Sequence, residues 1–239
     1  MNDKLLVIGS TSDIGYKFLS SRYNQYKEVV ALFNNEKLEK RLDNLDGKKI
    51  FKHRIDLSNL KEVSRMSEIL TEKYDISKVL HLASPSVKQK NFHNLDINDL
   101  SYNIDVQLLS VITLLKPIVK KMKNKREGKI VFILSSYIHG MPPKYTSSYV
   151  ISKYALLGLL KSLASEYGQY NIQVNGISPS MVETKFLSEM HDTIIEKFAK
   201  DSPLKRNLLI DEILPAIRFF LSSESNYING VNLPISYGG

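Results

Sequence analysis

The chain has 239 residues, 43% of them hydrophobic and 24% charged, enough for a sizeable core in one α/β unit and unlike a disordered or collagen-like chain. It has no cysteine, which excludes a disulfide framework, a thiolate metal site and a cysteine nucleophile. The formal charge of +8 comes from basic residues spread along the chain, so it suits an anionic substrate or a lysine-rich surface better than a nucleic-acid face.

The N-terminus runs into a short apolar stretch without a basic leader or cleavage site, and no apolar run reaches about 18 residues. A cytoplasmic protein without a membrane span is expected. Short β-branched runs predict buried parallel strands at Lys4–Gly9, Glu28–Phe33, Lys49–Ile55, Lys78–Ala83, Lys129–Ser135, Ile172–Ile177 and Val231–Ile235. Helical patterns fill the gaps at 13–25, 59–74, 98–124, 148–168 and 211–223. No repeat or low-complexity linker interrupts the alternation. It predicts one domain over 1–239, an α/β, Rossmann-like, doubly wound parallel sheet of seven strands with helices on both faces. In such sheets a ligand lies beyond the carboxyl ends of the strands, where strand order reverses.

Directly after the first strand, Gly9, Ser10, Thr11, Ser12, Asp13, Ile14 and Gly15 make a turn of small and polar residues that opens a helix. Free N–H groups and the helix dipole there suit a pyrophosphate. The G-x-G-x-x-G spacing is absent, however, and an ordinary helix start capped by Ser12 or Asp13 is the alternative. After the second strand, Asn34 and Asn35 offer no carboxylate to the ribose 2′-hydroxyl, and Lys37, Lys40 and Arg41 follow. NADP(H) is therefore expected to be preferred, with NAD(H) accepted, although a solvated basic helix face has the same composition. Asp56, beside Leu57 at the end of the third strand, is expected to accept from an adenine amino group; the alternative is a helix cap.

Tyr149 and Lys153 are four residues apart on one helix, so their side chains share a face. A free phenol titrates near ~10, and lowering it by about 3 units takes roughly 4 kcal/mol of preferential phenolate stabilisation. A nearby ammonium and the charge of a bound nicotinamide can supply this. Ser136, 13 residues before Tyr149 and at a strand's carboxyl end, is expected to hold the substrate oxygen.

Taken together, these motifs resemble the classical short-chain dehydrogenase/reductase family, 3-oxoacyl-carrier-protein reductases included, over essentially the whole chain. The resemblance implies Ser136, Tyr149 and Lys153 as catalytic residues, with Tyr149 and Lys153 also touching the cofactor. It implies that the glycine-rich turn carries Asp13 in place of its middle glycine, and that His81-Leu82-Ala83-Ser84 replaces Asn-Asn-Ala-Gly, leaving Ala83 against the cofactor. It aligns Val174–Ser180 and Met181–Thr184 with the nicotinamide segment, where Pro179, Val182 and Thr184 would contact the cofactor, and Ile228–Val231 and Tyr237–Gly239 with the last strand and tail. Gln107 stands where the family has a catalytic asparagine that helps hold a relay water behind the lysine. Asn103, one turn earlier, could compensate. His81 is expected to be structural, its ring satisfied by backbone hydrogen bonds.

The implied activity is hydride transfer between a nicotinamide and a carbonyl or secondary alcohol, without a metal. The loop Tyr137–Ser148 and the segment Phe186–Leu204 are expected to line the substrate pocket. In the latter, Leu187, Met190, Ile194 and Phe198 make either a lid or an ordinary core face. Lys144, Lys185, Lys205 and Arg206 would tolerate an anionic small molecule, sugar-linked or acyl-carrier-linked. Lys123–Arg126 could join a carrier-docking patch, or be a solvated helix end. A homo-oligomer, dimer or tetramer, is expected through the helices at 98–124 and 148–168. The main alternative is a catalytically impaired dinucleotide-binding or regulatory protein of the same fold, motivated by Gln107. A nucleic-acid-binding module is a distant third.

Overall fold

The computed structural model describes residues 3–45, 49–185, 187, 190 and 192–238. Phe186 and Gly239, at the start of the expected lid and the end of the expected tail, lie outside the described residues.

Each of the seven β-branched runs forms a strand: β1 (Lys4–Ile8), β2 (Glu28–Phe33), β3 (Ile50–Arg54), β4 (Lys78–His81), β5 (Gly128–Ile133), β6 (Ile172–Pro179) and β7 (Asn232–Ile235). They pair in parallel in one sheet of order β3-β2-β1-β4-β5-β6-β7. Helices cover both faces, so the central strands are buried on both sides; β5 and β6 are buried at every position. Pro234 is tolerated in β7 because this strand lies at the sheet edge and need not donate on its outer side.

On one face, α3 (Leu60–Lys73), α5 (Ser110–Lys125) and α6 (Ser147–Tyr167) bury Leu6, Val30, Phe132 and Leu156. On the other, α1 (Asp13–Arg22) and α8 (Ile210–Leu221) bury Val7, Phe18, Val131 and Ile217. Fully burying each such side chain contributes roughly 1.5–3 kcal/mol, and the period-2 alternation of strand side chains divides them between the two layers. Two further helices are α2 (Glu39–Asp43) and α7 (Asp192–Asp201).

The stretch expected as one helix over 98–124 is not regular. It consists of α4 (Ile97–Ile104), a π-helical turn over Asp105–Leu109, and α5. By length and composition alone Ile97–Lys125 could cross a membrane, but half of its apolar window is buried, with α5 packed on α3 and α4 on α6. It is a core helix. Because the chain builds β2 and β3 on one side of β1 and then returns to place β4 on the other, strand order reverses between β1 and β4. The crevice at their carboxyl ends is where the candidate site lies.

Candidate active site

A cleft of about 520 Å³ runs along the carboxyl edge of the sheet, from Asn34 and Asp56 past Gly9 and Ala83 to Tyr149 and Lys153. Its narrowest turn explains the unusual glycine spacing. Gly9 has φ +88°, and a Cβ there would come within 2.9 Å of the Ala83 backbone nitrogen; a Cβ on Gly15 would meet the Gly9 carbonyl at 2.7 Å. Position 13, in contrast, opens α1 with helical geometry and has room for a side chain that reaches Arg41, so no glycine is needed there. Ser12 caps the helix, accepting from Gly15 N at 3.1 Å and donating to Gly9 O at 2.7 Å.

Asp13 joins distant parts of the cleft wall. Its carboxylate accepts from Arg41 Nη1 at 2.7 Å and from the backbone N–H of Lys185 at 2.7 Å. Burial alone would raise its pKa, but Arg41 and the Lys185 amide hold the carboxyl below its usual range. Arg41 also lies over the Tyr16 ring, 5.6 Å from its centroid.

Of the residues expected at the cofactor, Gly9, Thr11, Ser12, Asp13, Ile14, Asn34, Asp56, Leu57, Ala83, Tyr149, Lys153, Pro179, Val182 and Thr184 line the cleft. Ser10 and Gly15 do not. Ser10 is fully buried with its N–H and hydroxyl both given to Leu32 O, and Gly15 lies beneath the turn, where its role is to leave room for Gly9. One Asp56 oxygen accepts from the N–H and hydroxyl of Ser58, whereas Asn59 caps α3. The tight glycine turn, the helix N-terminus facing the cleft and a cleft reaching from Asn34 to Lys153 fit a dinucleotide.

At the far end, the Tyr149 phenol hydrogen-bonds with the Ser135 hydroxyl, and Lys153 Nζ lies 5.4 Å from the Tyr149 ring centroid. Burial pushes the phenol's pKa up; the Ser135 hydrogen bond pulls it down, and the nearby Tyr137 phenol adds a further rise. Burial draws the Lys153 amine down to about 7, and its Nζ donates to Ile133 O at 3.1 Å. The serine therefore differs from expectation: Ser135 lines the cleft beside Tyr149, and Ser136 does not. Counting back from the tyrosine crosses the loop between β5 and α6, so one additional loop residue moves the count past the strand end. Counting forward from Gly128 along the strand avoids that loop.

Gln107 sits among polar side chains of three elements. Fully buried in the π turn, its Nε2 donates to Ser152 Oγ at 2.8 Å and Asn103 Oδ1 at 3.2 Å, and its Oε1 accepts from Ser84 Oγ at 3.1 Å. The longer arm thus ties α4 to α6 and to the end of β4, and it does not line the cleft. Asn103, engaged with Asp99 O and Gln107, belongs to the same clamp. His81 departs from expectation. It is fully buried, meets Phe132 edge-on at 5.9 Å, and has no hydrogen-bond partner at either ring nitrogen among the described residues.

The substrate half is apolar. Val87, Tyr137, Met181, Leu187 and Met190 line it; Leu187 and Met190 belong to the segment expected there, Tyr137 is the one residue of the expected 137–148 loop that reaches it, Met181 belongs to the aligned nicotinamide segment, and Val87 was not named from the sequence. Tyr137 lies edge-on to Tyr149 and stacks on Phe198 of α7, with ring centroids 5.9 Å apart in both pairs. Leu187, Met190, Ile194 and Phe198 form one cluster with Met181, and of these four Leu187 and Met190 line the cleft. Arg206 is held by Glu212 through two hydrogen bonds of 2.8 and 2.6 Å, and Lys205 by Lys200 O. Neither cation lines the cleft, whereas Lys185 does.

The family model described as enoyl-(acyl carrier protein) reductase matches residues 9–239. The 3-oxoacyl-[acyl-carrier-protein] reductase FabG of Buchnera aphidicola is 28% identical over 235 residues, covering 97% of this chain and 95% of its own. Acetoacetyl-CoA reductase of Allochromatium vinosum is 28% identical over 184 residues, 77% and 74% of the two chains. Among solved structures, gluconate 5-dehydrogenase from Burkholderia cenocepacia, in complex with NADP and tartrate, superposes with a TM-score of 0.88 at 21% identity, covering 100% of this chain and 95% of that one. Levodione reductase does so at 0.88 and 22%, covering 99% and 96%. The glycine turn, the tyrosine and lysine at the end of the cleft and a match over nearly the full length lead to one conclusion: the chain belongs to the short-chain dehydrogenase/reductase family, as an NAD(P)(H)-dependent oxidoreductase that interconverts a carbonyl and a secondary alcohol.

Proposed function

We propose that Tyr149 exchanges the proton of this reaction, that Lys153 tunes it, and that Ser135 holds the substrate oxygen. The observation that carries this reading is that Ser135, Tyr149 and Lys153 line one end of the cleft together, with Lys153 Nζ 5.4 Å from the Tyr149 ring centroid. A nicotinamide held in this cleft would supply or accept the hydride. Gly9, Thr11, Ile14 and Ala83 would hold the dinucleotide along the turn, and Pro179, Val182 and Thr184 its nicotinamide end. In the reducing direction the Tyr149 Oη proton goes to the substrate oxygen as that oxygen gains charge, and the Lys153 cation stabilises the resulting phenolate. Ser135 Oγ donates to the same oxygen, and the cap of Leu187, Met190 and Phe198 keeps water away. Tyr149→Phe should lower kcat/KM by about 10²–10⁴-fold with little change in dinucleotide affinity. Retained turnover would refute the assignment.

NADP(H) is proposed as the preferred cofactor, with NAD(H) accepted. Supporting this, the end of β2 presents Asn34 and Asn35, and the nearby Glu36 is occupied by Arg54 at 3.1 Å. Arg41 is already engaged by Asp13, which leaves Lys37 and Lys40 for a 2′-phosphate. The ratio of NADPH to NADH dissociation constants tests this, and a ratio favouring NADH would reverse it. The apolar substrate half favours an acyl or cyclic ketone over a polyol, and Lys185 at its rim suits an anionic group. Partly exposed Ile97, Tyr102 and Leu109 on the 97–125 helix and Ile151 and Tyr154 on α6 support a homodimer or homotetramer through these faces. Docking of a carrier protein at Lys123–Arg126 has less support, because Lys123 and Arg126 lie over the Tyr170 ring and Lys125 pairs with Asp75.

A further inference from the structure

Buried polar atoms without partners are rare in folded proteins, and His81 has two. The ring lies at the carboxyl end of β4, in register with Phe132, the residue before Ile133 on β5. Its neighbours fix the face it occupies. Val79 and Phe132 belong to the core layer under α6, and Leu80 and Ile133 to the opposite layer. Ile133 O is the one protein acceptor of Lys153 Nζ among the described residues. An ammonium carries three donors, so Lys153 has two without a protein acceptor among the described residues, on the face of the sheet that also holds the two unpartnered imidazole nitrogens.

The electrostatics agree with this placement. Burial, and then the charge of Lys153, draw His81 down to about 3, so the ring is neutral and keeps one acceptor nitrogen throughout the neutral range. Among the described residues Lys153 is the charged group that acts on it. The groups of the π turn and α4 that reach this interior, Gln107 and Asn103, are uncharged amides already committed to each other and to Ser152, Ser84 and Asp99 O.

We propose that His81 is a positioning residue for Lys153, accepting a hydrogen bond from its ammonium through one enclosed water and so keeping the cation charged beneath Tyr149. A water in that position would have at least two polar partners, as an enclosed water requires. The catalytic part of the proposal rests on the reading that Tyr149 and Lys153 carry the proton chemistry; the hydrogen bond itself does not. His81 touches neither substrate nor cofactor and acts only through the lysine.

The test has two arms. In the first, the full chain labelled with ¹⁵N-histidine is followed by imidazole NMR, its five histidines assigned with His81→Asn. The His81 ring should remain neutral from pH 5 to 8, and its unprotonated nitrogen should shift toward the position of a free acceptor when Lys153→Met removes the donor. A His81 resonance indifferent to Lys153→Met would overturn the proposal, and this arm needs neither a substrate nor a folded His81 variant with an apolar ring. In the second arm, the pH profile of kcat/KM is measured with NADPH and acetoacetyl-CoA. His81→Phe should move the limb on which Lys153 loses its proton down by about one pH unit, with roughly tenfold less turnover above it. His81→Asn, whose carbonyl can still accept, should restore most of the profile, and the KM for NADPH should stay within about threefold in both. A His81→Phe profile superimposable on that of the unaltered chain would also overturn the proposal. Full turnover by Tyr149→Phe in the same assay would instead remove the proton-chemistry reading and leave the NMR result standing.

Discussion

Lys129, at the amino end of β5, and Lys153 of α6, which reaches the carboxyl end of β5, are both buried, at 8% and 2% exposure. Burial lowers both amines, Lys129 to about 8, with a further push from Lys78, and Lys153 to about 7. Their surroundings differ. Lys129 Nζ donates to Gln173 Oε1 at 3.0 Å and Ser225 Oγ at 3.3 Å, side chains that lie far from the cleft. Lys153 has one carbonyl, a phenol ring at 5.4 Å and an open cleft beside it. A perturbed amine is therefore a poor marker of a site by itself, and what distinguishes the two is which groups answer its N–H donors.

The sharpest test of this contrast is Lys153→Met, which should cut kcat/KM by about 10²–10⁴-fold while the protein stays folded, because an apolar chain of similar length replaces a buried charge. Turnover within tenfold of the unaltered chain would erase the distinction. Next in size, Ser135→Ala should cost roughly 10–10³-fold in kcat and Ser136→Ala less than about threefold; the reverse order would return the oxygen-binding role to Ser136. Gln107→Asn, too short to span Ser152 and Ser84 together, should lower unfolding stability by about 1–3 kcal/mol in urea titrations and affect turnover less than Ser135→Ala.

The smallest effects concern pH. Both lysines have folded pKa values below the ordinary 10.5, so between about 7 and 10.5 for Lys153, and about 8 and 10.5 for Lys129, the unfolded chain binds more protons than the folded one. Their contribution to stability therefore rises with pH through those windows and is lost as pH falls through the folded values. Urea midpoints taken from pH 7 to 9.5 should climb less in Lys153→Met, and less markedly so in Lys129→Met, whose turnover should stay within about twofold. Equal slopes in both variants and the unaltered chain would mean that neither amine is perturbed in solution.

The sheet was legible because β-branched runs buried on both faces have a signature that no other element of this chain shares, and all seven were found within one or two residues. Short α2 was not, since five residues are too few for a helical period. The π turn escaped for a related reason: periodicity averaged over 98–124 stays helical even when one turn holds an extra residue. In the site, Tyr149 and Lys153 could be read because their spacing lies within a single helix, where geometry follows from sequence separation. Ser135 could not be separated from Ser136 across a loop whose length the sequence states but whose path it does not. Gln107 and His81 depended on where neighbouring polar groups end up in three dimensions. Ser10 and Gly15 were named as part of a motif although only some of its members face the cleft.

The π turn also bears on which length changes this chain tolerates. A helical residue advances the chain by about 100° around the axis, and the turn over Asp105–Leu109 holds one residue more than an α-helical turn would. Deleting any one of those five residues would leave a continuous helix with no gap in its backbone hydrogen bonds. It would also rotate all of α4, with Asn103 and the exposed Ile97 and Tyr102, by more than a quarter of a revolution relative to α5. The interior clamp and the outer apolar face would be lost together, so this segment should resist single-residue deletion although its local structure would become more regular.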